Sequence, residues 1–439
     1  MHRRDFLLVT GTLGAFAGCV SSEETPGSTT TAPTATETET PADTPTPTAT
    51  EPETETETPT ETREEPEEIP EPASITVENL SVTHSSVTAD NPATVTVDVA
   101  NTGEETGTKT LSVRVDGTEQ TTRDITLDGN HSTTAEFSID TARPKTYTVA
   151  VEDLETSFEA VATEVGGVVD SDTTWTVDDG PYEVTSTVQI ARGATLTIDP
   201  GVTIWASEAL DSLFLLHGEV IAVGTPENMI TVDGANQAVT FFDADGSTPE
   251  AFLDAEYCRF RHGGRFWMRG HGGFNLRHSE LRDMHYSYIW YPYQDSSNEY
   301  DNPRSEINIE YNTFINSGGF SIGHDSRSQE TVRVNIRYNV FKNGVSATGG
   351  GLINNWASYG DSETVVEVNS FIDMTDSIVV KLRSGYDDAA MTATNNYWGT
   401  TDTETVESMI YDSNDDINAA GEIPYMPILE DPHPDTPSV

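Results

Sequence analysis

Positive charge is what this sequence has least of. Among 439 residues, Lys and Arg together number 22 against 74 Asp and Glu, a formal net charge of −52. Only Lys109, Lys145, Lys342 and Lys381 are lysines. Binding along a phosphate backbone or an anionic bilayer needs cations to displace counterions, so neither duplex nucleic acid nor a bilayer surface is the main partner. Cysteine is almost absent. Cys19 and Cys258 stand far apart, and no disulfide framework holds this fold. Long apolar runs are missing as well, since the stretch from Phe6 to Gly18 falls short of the ~20 residues a helix needs to cross a bilayer. The chain is nevertheless too long for one compact core at roughly 100–200 residues per domain, so several parts are expected.

The N-terminus reads MHRRDFLLVTGTLGAFAGC. Arg3 and Arg4, ahead of Asp5, Phe6 and Leu7, resemble a twin-arginine export signal. Phe16-Ala17-Gly18-Cys19 resembles a lipobox, with Phe16 where leucine is usual. The resemblance implies export in the folded state and lipid attachment at Cys19. It places the chain on the extracellular face of the membrane, touching that membrane through a lipid anchor only. An acidic, lysine-poor composition is similar to that of haloarchaeal proteins and suits concentrated salt. Residues 20–73 then form a Thr/Glu/Pro tract in which, up to residue 72, fifteen acids face one base, Arg63. Such a segment cannot bury enough surface to offset its chain entropy, so a disordered acidic stalk is expected, extended by proline and charge repulsion.

Residues 74–162 change character. SITVENLSV, ATVTVDVANTG, KTLSVRVDG, RDITLDG, STTAEFSID and KTYTVAVED alternate apolar and polar residues between Gly, Asn and Asp punctuation. Short strands at this spacing, without helical periodicity, predict a small β-sandwich. The stretch from Val95 to Gly103 and the later Tyr147-Thr148-Val149 resemble the cell-adhesion-related domain known as CARDB, an immunoglobulin-like module. The resemblance implies a spacer or adhesion unit.

From about Val165 a repeat sets in. Tyr257-Cys258-Arg259-Phe260, His278-Ser279-Glu280-Leu281, Tyr311-Asn312-Thr313-Phe314, Tyr338-Asn339-Val340-Phe341, Val368-Asn369-Ser370-Phe371 and Asn395-Asn396-Tyr397-Trp398 align, with steps of 21, 33, 27, 30 and 27 residues. Periods of this size with short strands and no helices between them mark a solenoid. In a parallel β-helix, Phe260, Leu281, Phe314, Phe341, Phe371 and Trp398 become an interior stack. Asn312, Asn339, Asn369 and Asn396 become a ladder, with Cys258 in the same inward column as a buried, inert thiol. The segment resembles the right-handed parallel β-helix families, pectate-lyase-like in architecture. At ~4.8 Å per coil, about eight coils make a rod of ~40 Å. Thr403 is expected to cap a short helix that closes the solenoid. The predicted fold is therefore all-β: the β-helix with its C-terminal cap over 163–430, a tail at 431–439, and the sandwich and stalk ahead of them.

One region departs from the acidic background. Residues 257–293 hold six arginines against two acids, together with four of the ten histidines. If Phe260 and Leu281 point inward, Phe266 and Met268 follow them, and Arg265, Trp267 and Arg269 point out. The 21-residue step then sets Arg265 beside Tyr286, Trp267 beside Tyr288 and Arg269 beside Trp290. The next coil presents Gly319, Ser321 and Gly323 on this face, and further along Val379, Lys381 and Arg383 follow. Exposed rings and guanidinium groups suit stacking on a sugar that carries a uronate or sulfate. The alternative is that the 291–304 loop covers the strip and the rings are ordinary packing. Asp283 shares a column with His262, Asn316, Asn343 and Asp373, which reads as a turn position rather than a catalyst. His262, His271, His278 and His285 lack the spacing of a zinc site. The acidic loops Asp295–Asp301 and Asp412–Asp416 offer oxygens to calcium but follow no EF-hand, and no metal or other cofactor is assigned.

The expected function is an extracellular, lipid-anchored surface protein whose β-helix presents a face for polysaccharide or cell-surface glycan. Two rivals stand beside it: a polysaccharide lyase or glycoside hydrolase on the same face, and a structural cell-envelope rod without ligand. No motif assigns catalytic residues.

Overall fold

A computed structural model of the chain describes residues 69–207, 210–235, 239–244, 251–269, 273–291, 306–325, 331–347, 349–359, 361–374 and 377–439. At Trp290, Tyr291, Glu306, Asp325 and Tyr359 it describes the backbone alone. The export signal, Cys19, the stalk to residue 68, His271, the Asp295–Asp301 loop and nearly all of the 291–304 segment lie outside the described residues.

The first folded part is a two-sheet sandwich. Ile75–Val82, Ala93–Asn101 and Ser132–Ile139 form one sheet. Ser86–Thr88, Leu154–Val161, Lys145–Val151, Gly107–Val115 and Thr118–Leu127 form the other. Strict alternation turns Val95, Val97 and Val99 inward, fully buried in one core with Leu111, Val113, Val149 and Val151. Tyr147 stacks on Phe158 at 5.4 Å. Its hydroxyl accepts the Ala142 and Arg143 backbone N–H groups at 3.0 and 3.1 Å, which pins the bend ahead of its strand. Asn101 is buried, and its amide donates to the carbonyls of Glu105, Leu127 and Asp128, tying three strand ends together.

The second part is a parallel β-helix of three sheets. One sheet has nine strands in sequential order, from Thr173–Trp175 to Ala389–Thr392. A second runs through Cys258–Arg261, Glu280–Arg282, Thr313–Ile315, Val340–Lys342 and Ser370–Ile372. A third runs through Thr240–Ala244, Arg265–Arg269, Ser287–Tyr291, Phe320–Asp325, Ile353–Tyr359, Val380–Leu382 and Ile410–Tyr411. The interior stack lies in the second sheet. Phe260 pairs with Leu281, and Leu281 with Phe314. Phe314 stacks on Phe341 at 4.5 Å, Phe341 on Phe371 at 5.4 Å and Phe371 on Trp398 at 5.1 Å.

The asparagine ladder runs beside that stack. Asn312, Asn339, Asn369 and Asn396 are fully buried. Each Oδ1 accepts the backbone N–H of the coil before it, Asn339 from Asn312 at 2.9 Å and Asn369 from Asn339 at 3.0 Å. Each Nδ2 donates to a carbonyl, Asn339 to Ile309 and Asn369 to Ile336, both at 2.8 Å. Ser279 and Cys258 continue the column: the Ser279 hydroxyl oxygen accepts from the Cys258 N–H, and the Cys258 thiol donates to the Ala222 carbonyl at 3.3 Å. Burial pushes that thiol's pKa far up, so it stays a thiol. The turn column of His262, Asp283, Asn316, Asn343 and Asp373 sits throughout at positive φ, between 50° and 55°. Asn316 donates to Asp283, and Asn343 to Asn316, across the coils.

The closing helix spans Thr403–Ser408 and seats Val406 in the core. Its cap is Asp402 rather than Thr403: the Asp402 carboxylate accepts the Thr405 N–H, and Thr403 is the first helical residue. A carboxylate at that point also meets the positive end of the helix dipole, an advantage a hydroxyl lacks.

Sandwich and helix are joined by more than chain continuity. Trp205, from the strand Thr203–Ala206, is 2% exposed and packs into the sandwich core. Arg143 donates to the Ala206 carbonyl at 3.1 Å and lies 3.7 Å from Asp233. Asp90 lies at the surface, yet partial desolvation by its neighbours outweighs its hydrogen bond from Thr203, and Asp233 adds repulsion, so its carboxyl pKa is raised.

Two outcomes are expected. Asn339→Leu leaves the buried Asn312 N–H without its acceptor, at ~1–3 kcal/mol, and takes one donor from the Ile309 carbonyl. Denaturant titration should show a loss of ~1–3 kcal/mol, against well under ~1 kcal/mol for Asn343→Gly on the exposed ladder, where glycine accepts the positive φ. Similar losses for both would contradict the ladder's role. The second concerns Asp90. A raised folded pKa means the native state binds the proton more tightly, so its contribution is favourable below the unfolded carboxylate range and is lost as pH rises through the folded value. Asp90→Asn should raise the melting temperature at neutral pH and lose that advantage in acid. A gain that is independent of pH would refute the desolvation account.

Candidate functional site

The outward face of the third sheet carries the aromatic and arginine strip. Strand Arg265–Arg269 alternates as the core requires: Phe266 and Met268 are buried, while Arg265, Trp267 and Arg269 are half-buried on the outside. In the next coil Trp267 pairs with Tyr288 and Arg269 with Trp290, the register that the 21-residue step implies. The indole of Trp267 lies 5.1 Å from the Tyr288 ring, tilted by 30°. Arg265 stands over Trp267 at 4.1 Å and reaches Tyr288 at 5.9 Å, so it turns toward these rings rather than along the row to Tyr286. Tyr286 precedes the strand and meets Tyr288 edge-on at 5.2 Å, with the two hydroxyls 3.3 Å apart. Arg269 lies 5.1 Å from the Trp267 ring and donates to Asp243 at 2.9 Å. Of the predicted residues, the structure thus brings Arg265, Trp267, Arg269, Tyr286 and Tyr288 into one cluster. Trp290 sits at the expected strand position, with its side chain outside the described set.

The electrostatics are those of an exception. Arg265 has rings as partners and no carboxylate among the described residues. The Trp267 indole N–H is buried and lacks a hydrogen-bond partner among the described residues, a cost of ~1–3 kcal/mol. The carboxylate that touches the strip, Asp243, is occupied by Arg269.

Further along, the small residues Gly319, Ser321 and Gly323 do not leave the face open. Tyr288 pairs with Ser321 and Trp290 with Gly323, but in the following coil Gly323 pairs with Trp356. A Cβ at Gly323 would stand 2.2 Å from the Trp356 indole, so the indole lies across the glycine and fills the gap. Ser321 is buried and donates to Asn354. Lys381 and Arg383 remain partly exposed on this side, whereas Val379 is fully buried ahead of its strand.

The repeat also carries a separate aromatic row. Tyr257, His278, Tyr311 and Tyr338 hold the first position of the first four aligned motifs. Their rings stack at 4.9, 4.9 and 4.8 Å, within 12° of parallel. All four adopt positive φ. Tyr257, His278 and Tyr311 line a groove of ≈ 660 Å³ together with Asp435, Thr436 and Pro437 of the C-terminal tail. Because ring faces cover one another, this row shows edges rather than faces.

The remaining candidates resolve into structure. Asp283 is a turn residue that accepts from Asn316, and His285 is exposed. His262 lies 3.2 Å from Asp233. Among the described residues no three His, Cys, Asp or Glu side chains converge as a metal site. In the Asp412–Asp416 loop, Asp412 accepts the Asn414 and Ile423 N–H groups, both at 2.8 Å. Asp416, held down to about 2 by hydrogen bonds from Ser384 and Asn418, likewise spends its oxygens on the loop.

A family model described as CARDB matches residues 73–157, so the sandwich is a CARDB domain. No curated protein matches the chain. Among solved structures, the CARDB domain of a Pyrococcus furiosus protein, determined in complex with di-metal ions, is similar over 20% of this chain and 91% of its own length, at 17% identity and a TM-score of 0.17. A β-glucosidase from Erythrobacter marinus shares 13% identity over 20% of this chain and 16% of its own, with a TM-score of 0.20. A β-D-glucoside glucohydrolase from Trichoderma reesei shares 18% over 20% and 19%, with a TM-score of 0.18. The chain spans less than a fifth of either glucosidase. These likenesses say nothing about activity.

Gly323 offers a direct check of the face. Gly323→Val must displace the Trp356 indole, with an overpacking cost of ~1–3 kcal/mol. Near-ultraviolet circular dichroism should change and the melting temperature fall. An unchanged spectrum would mean that the indole does not lie over the glycine.

Proposed function

We propose that this chain is an exported, lipid-anchored surface protein, held at the extracellular face through Cys19, whose β-helix binds polysaccharide or cell-surface glycan through Arg265, Trp267, Arg269, Tyr286, Tyr288 and Trp290. The observation that carries the reading is the ring and guanidinium cluster itself. In a chain of net charge −52, a patch where Arg265 rests on Trp267 instead of a carboxylate is a local inversion of the surface rule. Sugars meet aromatic rings through their apolar C–H faces, and a uronate or sulfate finds a guanidinium. The CARDB domain supports an adhesion-related extracellular role, with the sandwich as a stiff mount for the helix. The twin-arginine and lipobox resemblances support the address, and the acidic composition supports a setting of high salt.

Among the described residues, a binding role is favoured over hydrolysis by the acid at the strip. Asp243 is already paired to Arg269, and a glycosidase needs two carboxylates free to act as acid and base.

The test is size-exclusion chromatography of labelled neutral and acidic polysaccharides with the chain in molar salt and calcium. A shift to larger size is expected, with affinity falling about tenfold or more in Trp267→Ala, the loss typical of an aromatic anchor. Smaller fragments would establish an enzyme instead. No shift with any polymer would leave the structural rod.

A further inference from the structure

The same face carries a second cluster that the sequence repeat does not announce. Counting along one column, Arg269 is followed by Trp290, Gly323 and Trp356 in successive coils, a distance of ~14 Å at ~4.8 Å per coil. The Arg383 N–H bonds to the Asn355 carbonyl, which sets Arg383 beyond Trp356 on that line. Its guanidinium lies 5.4 Å from the Trp356 ring and 5.3 Å from the Tyr386 ring, and the two rings are 5.1 Å apart. In the neighbouring column Lys381 lies 4.2 Å over the Tyr411 ring.

Neither cation has a carboxylate within ion-pair distance among the described residues. Elsewhere on the helix the rule is the opposite. Arg261 reaches Glu280, Arg277 reaches Asp254 and Glu256, Arg333 reaches Glu363, and Arg337 reaches Glu367. With 74 acids against 22 bases, two adjacent cations that rest on rings and on no described carboxylate set this patch apart from those pairs.

A glycine loop adds an independent observation. Gly349, Gly350 and Gly351 run at φ of 93°, 84° and 77°, a conformation other residues rarely adopt. A Cβ at Gly349 would stand 2.9 Å from Arg383 Nε, and one at Gly350 would stand 3.3 Å from Lys381 Nζ. Any side chain on this loop would press on the cations. Three glycines let the backbone pass close by and leave the charged ends clear.

We propose that Lys381 and Arg383, framed by Trp356, Tyr386 and the Gly349–Gly351 loop, form an acidic-sugar subsite on the glycan face. The ammonium and guanidinium receive the anionic group of a sugar residue, a carboxylate or a sulfate ester, while Trp356 and Tyr386 border its apolar face. The planar guanidinium offers two parallel N–H donors to either group. The subsite rests on the polysaccharide reading above and names the class of polymer: one bearing anionic groups, lying along the helix axis from the Trp267 cluster to this one.

The test compares matched pairs on the full chain, polygalacturonate with its methyl ester and dextran sulfate with dextran, by titration calorimetry in molar salt. The acidic member of at least one pair should bind about tenfold more tightly, the worth of one charge-assisted contact pair. Which pair shows the preference separates carboxylate from sulfate. In the double variant Lys381→Gln, Arg383→Gln the ratio should fall to about one, whereas Lys381→Arg should keep it. An unchanged melting temperature in both variants separates lost recognition from lost folding. A preference that survives the double variant overturns the subsite. So does binding of neutral and acidic polymers alike, and in that case Trp267-dependent binding would leave the broader glycan reading intact. No binding of any polymer overturns both.

Discussion

Parallel strands point their backbone N–H and C=O groups along the solenoid axis, so a coil is complete only when another is stacked on it at ~4.8 Å. Every inward column must therefore repeat a side chain that packs or bonds to its own likeness. The Phe314, Phe341 and Phe371 rings do this by stacking, and Asn312, Asn339, Asn369 and Asn396 by passing hydrogen bonds from coil to coil. The asparagine solution is the more demanding one. Each buried amide accepts a backbone N–H at the turn after a strand and donates to a strand carbonyl beside it, and a single apolar replacement orphans that N–H. The varying steps of 21 to 33 residues are tolerated because length differences fall between the sheets, where no column has to be kept.

This stacking rule fixes the outer surface as well. Once Phe266 and Met268 point inward, Trp267 has no freedom to be elsewhere than beside Tyr288, nor Gly323 elsewhere than under Trp356. An outward column is released from the packing requirement, so whatever aligns there is free to serve recognition. Many such positions carry acids or the cations paired to them. Around Trp267 and around Trp356, on the same sheet, the cations lie over rings instead.

Which parts were legible from the sequence follows from the same physics. The interior stack and the asparagine ladder were readable because each inward column repeats residues of one kind, and the turn column at His262, Asp283, Asn316, Asn343 and Asp373 because a positive φ favours Asn, Asp and His. The pairing of Trp267 with Tyr288 was readable because a 21-residue step leaves little room for a loop. Trp356 was not, since the 33-residue step from Ser321 to Asn354 hides which residue crosses Gly323. Alternation with Ile204 and Ala206 turns Trp205 out of the helix core, but that it is buried there in the sandwich depends on a neighbouring module and not on local pattern. The ladder of Tyr257, His278, Tyr311 and Tyr338 runs against propensity, because bulky residues at positive φ are costly, and here ring stacking between coils helps to offset that cost.

The charge of the chain bears on how an acidic polymer is recognised. At low salt a body of net charge −52 repels polyanions over tens of ångströms, with a Debye length of ~30 Å at 0.01 M. At 1 M that length contracts to ~3 Å, and the repulsion is confined to direct neighbours. Contacts at hydrogen-bond distance survive this screening, as does ring stacking, which carries no net charge. A cation held over a ring without a carboxylate beside it is then the local charge an approaching polymer meets. Recognition on this face is a matter of contact chemistry rather than long-range steering, and the few unpaired cations outweigh the many distant acids. Lys381 and Arg383 meet that condition because the Gly349–Gly351 backbone passes them without a side chain of its own.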